Sequence, residues 1–250
     1  MGDSGISVKR GSVSELTPSR ETQFRNELKY HCSDGQLKLM EMRIRHLLKP
    51  DPHAGEDGKY TVRSVYFDDL RDSCYYDNED GVNNRQKFRI RLYNGDADMI
   101  LLECKQKVNG RNHKDACPIS AGQCEEILAG RPIDFREGEP VWNRFYTCYS
   151  AGMYRAKVIV EYERTPFIYK TGNVRVTFDR NIRATSKTEN FLEKNLCARP
   201  VMQKGMQLLE VKYDELLPDY IYSQLQLDNL QLTANSKYYA ARRMTKNFCI

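Results

Sequence analysis

The feature that most constrains this chain is a two-residue alternation that recurs along segment after segment, with cations on one face. Gln86–Tyr93 sets Lys87, Arg89 and Arg91 against Phe88, Ile90 and Leu92. Met99–Val108 sets Glu103, Lys105 and Lys107 against Leu102, Cys104 and Gln106. Phe24–Cys32 puts Arg25, Glu27 and Lys29 opposite Phe24, Leu28 and Tyr30. Such a period belongs to strands, whose successive side chains point to opposite faces. Tyr60–Asp68, Lys157–Ile168, Asn173–Asp179 and Gln207–Tyr213 read as further strands. Connections as short as Asn94-Gly95-Asp96 predict antiparallel hairpins. Seven or eight such strands indicate an antiparallel sheet or barrel in an α+β fold.

Helices intervene. Gly35–Leu48 carries Leu37, Met40, Ile44, Leu47 and Leu48 on one stripe, with Ser33 or Asp34 as cap and Pro50 as stop. Ser120 and Gln123 have capping-box spacing for a short helix ending at Gly130. Glu139–Tyr149, Pro218–Leu227 and Ala234–Thr245 are further helical segments. Residues 1–20 are polar and read as a leader, with one domain over 21–250. No apolar run is long enough to span a membrane, and no signal peptide is visible. The eight cysteines and four histidines lack metal-ligand spacing. Reduced thiols in a cytoplasmic protein are expected.

The placement of charge carries the functional information. On any single strand, a cationic face reads as solvated surface with cross-strand ion pairs. The set as a whole reads differently, because cations recur at Arg25, Lys29, Lys87, Arg89, Arg91, Lys105, Lys107, Arg164, Arg175 and Lys212. Acids join at Glu27, Glu103, Glu161, Asp179 and Glu210. If the sheet closes, these groups meet in a lumen, and a crowd of buried cations needs a polyanion. Lys and Arg suit phosphate oxygens, and a carboxylate among them suits a divalent metal that also touches phosphate. The formal net charge of +5 is too small to argue for nucleic acid by itself. No helix-turn-helix or RNP pattern, no GxxxxGK[ST] and no GxGxxG occurs, so the pattern points to polyphosphate or a nucleotide rather than nucleic acid.

Eight short pieces follow in order: Arg25-x-Glu27-x-Lys29-Tyr30, Val62-Arg63-Ser64-Val65-Tyr66-Phe67-Asp68, Arg89-x-Arg91-x-Tyr93, Glu103-x-Lys105, Tyr162-x-Arg164, Val174-Arg175-Val176-Thr177-Phe178-Asp179, Leu209-Glu210-Val211-Lys212 and Ser236-Lys237-Tyr238. Together, over about residues 22 to 240, they resemble the VTC domain. This is the polyphosphate polymerase domain of the vacuolar transporter chaperone complex, one of the triphosphate tunnel metalloenzymes (CYTH-like proteins). The resemblance implies an eight-stranded closed β tunnel with helices packed outside. It implies transfer of the terminal phosphate of ATP onto a growing polyphosphate chain with a divalent metal, Mn²⁺ or Mg²⁺. The family's tunnel cations fall on Lys29, Arg89, Arg91, Lys105, Arg164, Arg175 and Lys237, and its metal carboxylate on Glu210.

Arg89, Arg91 and Lys105 are the expected catalytic cations, with an intrastrand pair to Glu103 the alternative for Lys105. By sequence alone Glu210 also reads as a counter-ion for Lys212. Lys212 and Tyr66 are further substrate-binding candidates, and for Tyr66 core packing stands beside that role. Glu27 is either a second metal ligand or the ion-pair partner of Lys29. Asp179 either reaches the metal or orients Arg175. Arg25 departs from the hydrolytic tunnel enzymes, which carry Glu there, and this favours a polymerase. A non-catalytic sensor of polyphosphate or nucleotide and an inorganic tripolyphosphatase are the alternatives. The expected partners are ATP, polyphosphate and pyrophosphate, with association to a membrane partner left open.

Overall fold

The computed structural model describes residues 25–234 and 236–247. The leader expected over 1–20 lies outside them. The first half of the described chain runs β1 (Asn26–Ser33), α1 (Asp34–Arg45), β2 (Lys49–Pro50), β3 (Tyr60–Asp68), α2 (Ser73–Glu79), β4 (Arg85–Tyr93), β5 (Asp96–Val108) and β6 (Arg111–Ile119). There follow α3 (Ala121–Leu128), α4 (Pro140–Ser150), β7 (Arg155–Tyr169), β8 (Val174–Thr185), β9 (Arg199–Pro200), β10 (Met206–Tyr213), α5 (Asp219–Leu225), β11 (Gln231–Leu232) and α6 (Lys237–Asn247).

One antiparallel ladder runs β11-β1-β10-β8-β7-β3-β4-β5-β6, with β2 on β7 and β9 on β8. Eight of these strands are long. The expected closed barrel is not realised by hydrogen bonding. The outer edge of β1 is already taken over its second half by β11, through Tyr30↔Leu232 and His31↔Gln231. Among the described residues only Arg25, just before β1, meets β6, in a single bridge where Arg25 and Asn112 exchange backbone bonds of 2.9 and 3.0 Å.

The turns are set by residues that tolerate positive φ. Asn94 and Gly95 lie at φ 53° and 72°, and Asn109 and Gly110 at 48° and 81°. Positive φ at both central positions is the type I′ geometry that matches strand twist. The second of these turns creates β6, which the sequence pattern did not reveal.

The outer face of the sheet is apolar and covered by helices. Phe88, Ile90, Leu92, Leu102 and Cys104 pack with Trp142, Phe145 and Tyr149 of α4 and Cys124 and Ile127 of α3. Tyr30, Cys32, Phe178, Leu209 and Val211 pack with Leu37, Met40 and Ile44 of α1 and Ile221 and Leu225 of α5. Each large side chain fully buried in this way contributes about 1.5–3 kcal/mol. Ser33 with Gln36 and Ser120 with Gln123 form reciprocal capping boxes at α1 and α3. The seven described cysteines are free thiols.

The expectation that the helices all lie outside needs one correction. Tyr238 and Ala241 of α6 pack with Val62, Tyr66, Val160 and Ile182, which belong to the opposite, inner face of the sheet. The reason is composition: toward this end the inner face changes from charged to apolar, and an amphipathic helix can bury against it. No helix among the described residues is long and apolar enough to cross a membrane.

Candidate active site

The inner polar faces converge on one cavity of about 610 Å³, lined by all eight long strands and by α6. Arg89 and Arg91 from β4, Lys105 from β5, Arg164 from β7, Arg175 from β8 and Lys212 from β10 all face it. So do Lys29 and Glu27 from β1, Glu210 from β10, Tyr66 from β3 and Lys237 from the first turn of α6. Eleven Lys and Arg side chains line the cavity against three Asp and Glu. Strand periodicity explains the convergence: each residue stands an even number of positions from its neighbour on the same strand, so each points to the same side.

Carboxylates behind and among the cations fix their positions. Glu103, fully buried, accepts from Arg89 Nε at 2.6 Å and from Lys114 Nζ at 2.7 Å, with Arg91 Nη1 at 3.7 Å. Arg91 also donates from Nε to Ser64 Oγ at 3.0 Å. Arg89 donates to the Tyr66 hydroxyl at 3.2 Å. Asp179, also fully buried, takes Arg164 through both oxygens at 2.6 and 2.7 Å and Lys237 at 2.6 Å. It therefore orients Arg164, not Arg175. Arg175 instead reaches Asp51 at 2.6 Å and the Tyr60 hydroxyl at 2.9 Å.

Glu210 holds Lys237 at 2.7 Å and Arg164 at 3.1 Å, with Lys212 at 3.8 Å. Glu27 holds Lys105 at 2.6 Å, with Lys29 and Lys212 each at 3.3 Å. Lys105 is thus paired across to β1 rather than with Glu103 on its own strand. Arg25 Nε bonds Asp214 at 2.9 Å. Glu161 does not join the cavity. It lies on the outer side, paired with Arg63 at 2.5 Å and with Arg183, because it stands one position from Tyr162 and three from Arg164, which face the cavity, and the alternation of β7 runs unbroken against β3 over this stretch.

The electrostatics follow from burial set against pairing. Burial pushes the Glu210 carboxyl up, but Lys237, Lys212 and Arg164 outweigh it and hold the group well below the usual range. Burial likewise opposes Glu27, which Lys105, Lys29 and Lys212 bring well below. Arg89, Arg91 and Lys114 do the same for Glu103. Burial presses Lys105 down to about 7 against the pull of Glu27, with Lys29 and Lys212 adding to the depression. Burial raises the Tyr66 phenol, yet Arg89 and Arg91 bring it below its ordinary value. Glu27, Glu103 and Glu210 are therefore ionised at neutral pH.

A hard divalent cation fits this donor set in a limited way. Among the described residues no group of three or more His, Cys, Asp or Glu side chains converges as a metal cage. Glu27 and Glu210 are ionised carboxylates on neighbouring strands facing the same space. Thr177, opposite Glu210 in register, has a buried hydroxyl with no hydrogen-bond partner among the described residues. One or two carboxylates completed by phosphate and water oxygens is the usual Mg²⁺-type arrangement. Both Asp179 oxygens are occupied by Arg164 and Lys237.

Sequence reasoning missed several lining groups. Tyr60, Tyr93 and Tyr162 line the cavity, and Tyr162 Oη lies 3.5 Å from Arg91 Nη2. Lys114 comes from the unrecognised β6. The inward period of β3 could have revealed Tyr60 and that of β4 Tyr93, and the Asn109-Gly110 turn could have revealed β6.

The structure is thus an antiparallel sheet bent around a cation-lined cavity, to which the helix α6 contributes a lysine. The family model for the VTC domain matches residues 24–246, and this chain belongs to that family. Its fold is that of the triphosphate tunnel (CYTH-like) proteins. The Hippeastrum adenylyl cyclase HpAC1, reported with a dominant triphosphatase activity, superposes with a TM-score of 0.53 at 14% identity, covering 89% of this chain and 96% of that one. An adenylate cyclase-type protein from Bacillus halodurans gives a TM-score of 0.48 at 13% identity over 82% of this chain and 89% of its own. The Mimivirus capping-enzyme triphosphatase gives 0.38 at 8% identity over 84% and 89%. No curated protein sequence matches this chain significantly.

Proposed function

We propose that this protein is a metal-dependent polyphosphate polymerase that transfers the γ-phosphate of ATP onto a growing polyphosphate chain within the cavity. The observation that carries the reading is the charge imbalance: eleven cationic side chains line one cavity against three lining carboxylates, and they remain in excess when Asp51, Glu103, Asp179 and Asp214, which pair with lining cations, are counted too. Only a compact polyanion relieves that imbalance, and a phosphoanhydride chain offers several charges along a line narrow enough to enter. Membership of the VTC domain family supports the same substrate class.

Phosphoryl transfer needs alignment and charge neutralisation more than it needs a protein nucleophile. A terminal phosphate oxygen of the growing chain is already ionised, so no general base is required. That oxygen forms the new bond to Pγ while the bond from Pγ to the β–γ bridging oxygen breaks, and ADP departs with the negative charge. Arg89 and Arg91 are pre-set by Glu103 and Ser64, and Arg164 by Asp179, so their guanidinium forks need little reordering when phosphate arrives. Lys105, Lys29, Lys212 and Arg175 add charge along the chain, Tyr66 offers a phenol beside Arg89, and Lys237 brings α6 to the site. A divalent cation at Glu27 and Glu210, Mn²⁺ or Mg²⁺, would supply further neutralisation of the phosphate oxygens.

Tripolyphosphate hydrolysis in the same cavity is the second reading, favoured by the fold shared with HpAC1. Arg25 opposes it, since a cation bonded to Asp214 stands where the hydrolytic tunnel enzymes carry a first Glu. Incubation with ATP and Mn²⁺ separates the readings. Polyphosphate ladders on a gel are expected; orthophosphate release without chains would establish the hydrolase, and neither product would leave a binding protein.

A further inference from the structure

At one end the main cavity opens into a smaller one of about 130 Å³, where the pairing rule of the central site breaks down. Arg85, Lys87 and Lys107 line it, beside Lys29, Lys105 and their partner Glu27, which, like Lys87, it shares with the main cavity. Among the described residues none of Arg85, Lys87 and Lys107 has a carboxylate within 4 Å, whereas Lys29, Arg89, Arg91, Lys105, Arg164 and Lys237 each have one. Arg85 donates only to the backbone carbonyls of Asp77 and Val82, at 3.3 and 2.7 Å. Lys87 donates to Asn78 Oδ1 at 3.0 Å and Ser236 Oγ at 3.4 Å, both neutral.

The register makes this arrangement costly. Arg85 stands directly opposite Lys107, and Lys87 directly opposite Lys105, so two successive cross-strand pairs are like-charged. Such pairs destabilise a sheet. Burial chiefly, with Arg85, Lys29 and Lys105 adding to it, presses the Lys87 ammonium down to about 7. A bound anion would remove both costs at once.

We infer that this vestibule is a second oxyanion site, holding a phosphate or pyrophosphate group while the central cavity holds an oligophosphate. The inference rests on the polyphosphate reading for its ligand class, and on unpaired, opposed cations for its position. The shared chemistry is a phosphate oxyanion, which can arrive free or as the far end of a chain already in the cavity.

Calorimetric titration distinguishes these outcomes. The full chain is first saturated with tripolyphosphate and then titrated with pyrophosphate; in parallel, the affinity of a long polyphosphate is compared with that of tripolyphosphate. A second pyrophosphate event indicates a free anion, and tighter binding of the long chain alone indicates its far end. The double variant Arg85→Gln, Lys107→Gln lies outside the lining of the central cavity. It should weaken whichever of these signals is seen by about tenfold or more, the loss expected for charge-assisted hydrogen bonds. Its tripolyphosphate affinity should stay within about twofold. Its melting temperature should not fall, since opposed like charges are removed. Absence of both signals in the natural protein, or equal weakening of tripolyphosphate and vestibule binding in the variant, overturns the inference. Failure of the polymerase reading appears separately, as tripolyphosphate that does not bind or ATP that yields no chains.

Discussion

Arg164 and Asp179 stand opposite each other on β7 and β8 and meet through two parallel hydrogen bonds of 2.6 and 2.7 Å, both side chains buried. The same carboxylate holds Lys237 at 2.6 Å, so one acid ties two strands and the C-terminal helix to a single point of the cavity. Removing the charge from Asp179 leaves two buried cations short of a partner. Asp179→Asn should therefore destabilise the protein by roughly 3–5 kcal/mol. Urea denaturation checks this as a lower midpoint at unchanged slope. Arg164→Lys should lose less stability but still weaken tripolyphosphate binding, because Lys keeps the charge and loses the fork.

A crowded cationic lumen suggests that deleting any of its arginines would relieve repulsion and raise heat stability. The pairing reverses that expectation for Arg89. Its Nε lies 2.6 Å from fully buried Glu103, so Arg89→Ala should lower ligand-free stability by roughly 1–3 kcal/mol. Arg91 sits farther from Glu103, at 3.7 Å, and Arg91→Ala should cost less. Both variants should lose most of the melting-temperature gain that tripolyphosphate gives the natural protein. Chain synthesis should fall roughly 100-fold or more in each.

The acids of the cavity predict a pH dependence with a definite sign. Glu27, Glu103 and Glu210 all have folded-state values well below 4.5. The unfolded chain therefore binds more protons than the native state as pH drops below 4.5, and stability falls in that direction. Their contribution should be fully present at pH 6–7 and lost progressively as pH falls below about 4.5. Chemical denaturation between pH 7 and pH 3 measures it. Glu103→Gln should flatten the acid limb.

Much of this arrangement was legible in the sequence. The inward sets of β1, β4 and β5 follow from strict alternation, and their cations do face the main cavity, except Lys107, which lines the vestibule. Glu161 was grouped with Arg164 although it stands three positions away, and strict alternation on β7 puts the two on opposite faces. The strand β6 was missed because Arg111-Asn112-His113-Lys114-Asp115 has poor strand propensity; it is held by its hairpin to β5. The inward position of α6 was also hidden, because an amphipathic stripe says that a helix buries a face but not which side of a sheet receives it.

The two carboxylates that suit a metal can be tested apart from the cations. Glu210→Gln keeps the shape and removes an anionic oxygen. Stimulation of activity by Mn²⁺ should drop steeply, while metal-free tripolyphosphate binding, measured by calorimetry, should be retained or strengthened. Unchanged metal dependence would mean that Glu210 serves only as counter-ion to Lys237 and Arg164.

The most direct test of the central claim is a crystal structure of the protein with tripolyphosphate and Mn²⁺. The account predicts the phosphate chain inside the cavity, its oxygens within hydrogen-bonding distance of Arg89, Arg91 and Arg164. Tripolyphosphate bound only on the outer surface, with the inner cations still paired solely to Glu27, Glu103, Asp179 and Glu210, would contradict it.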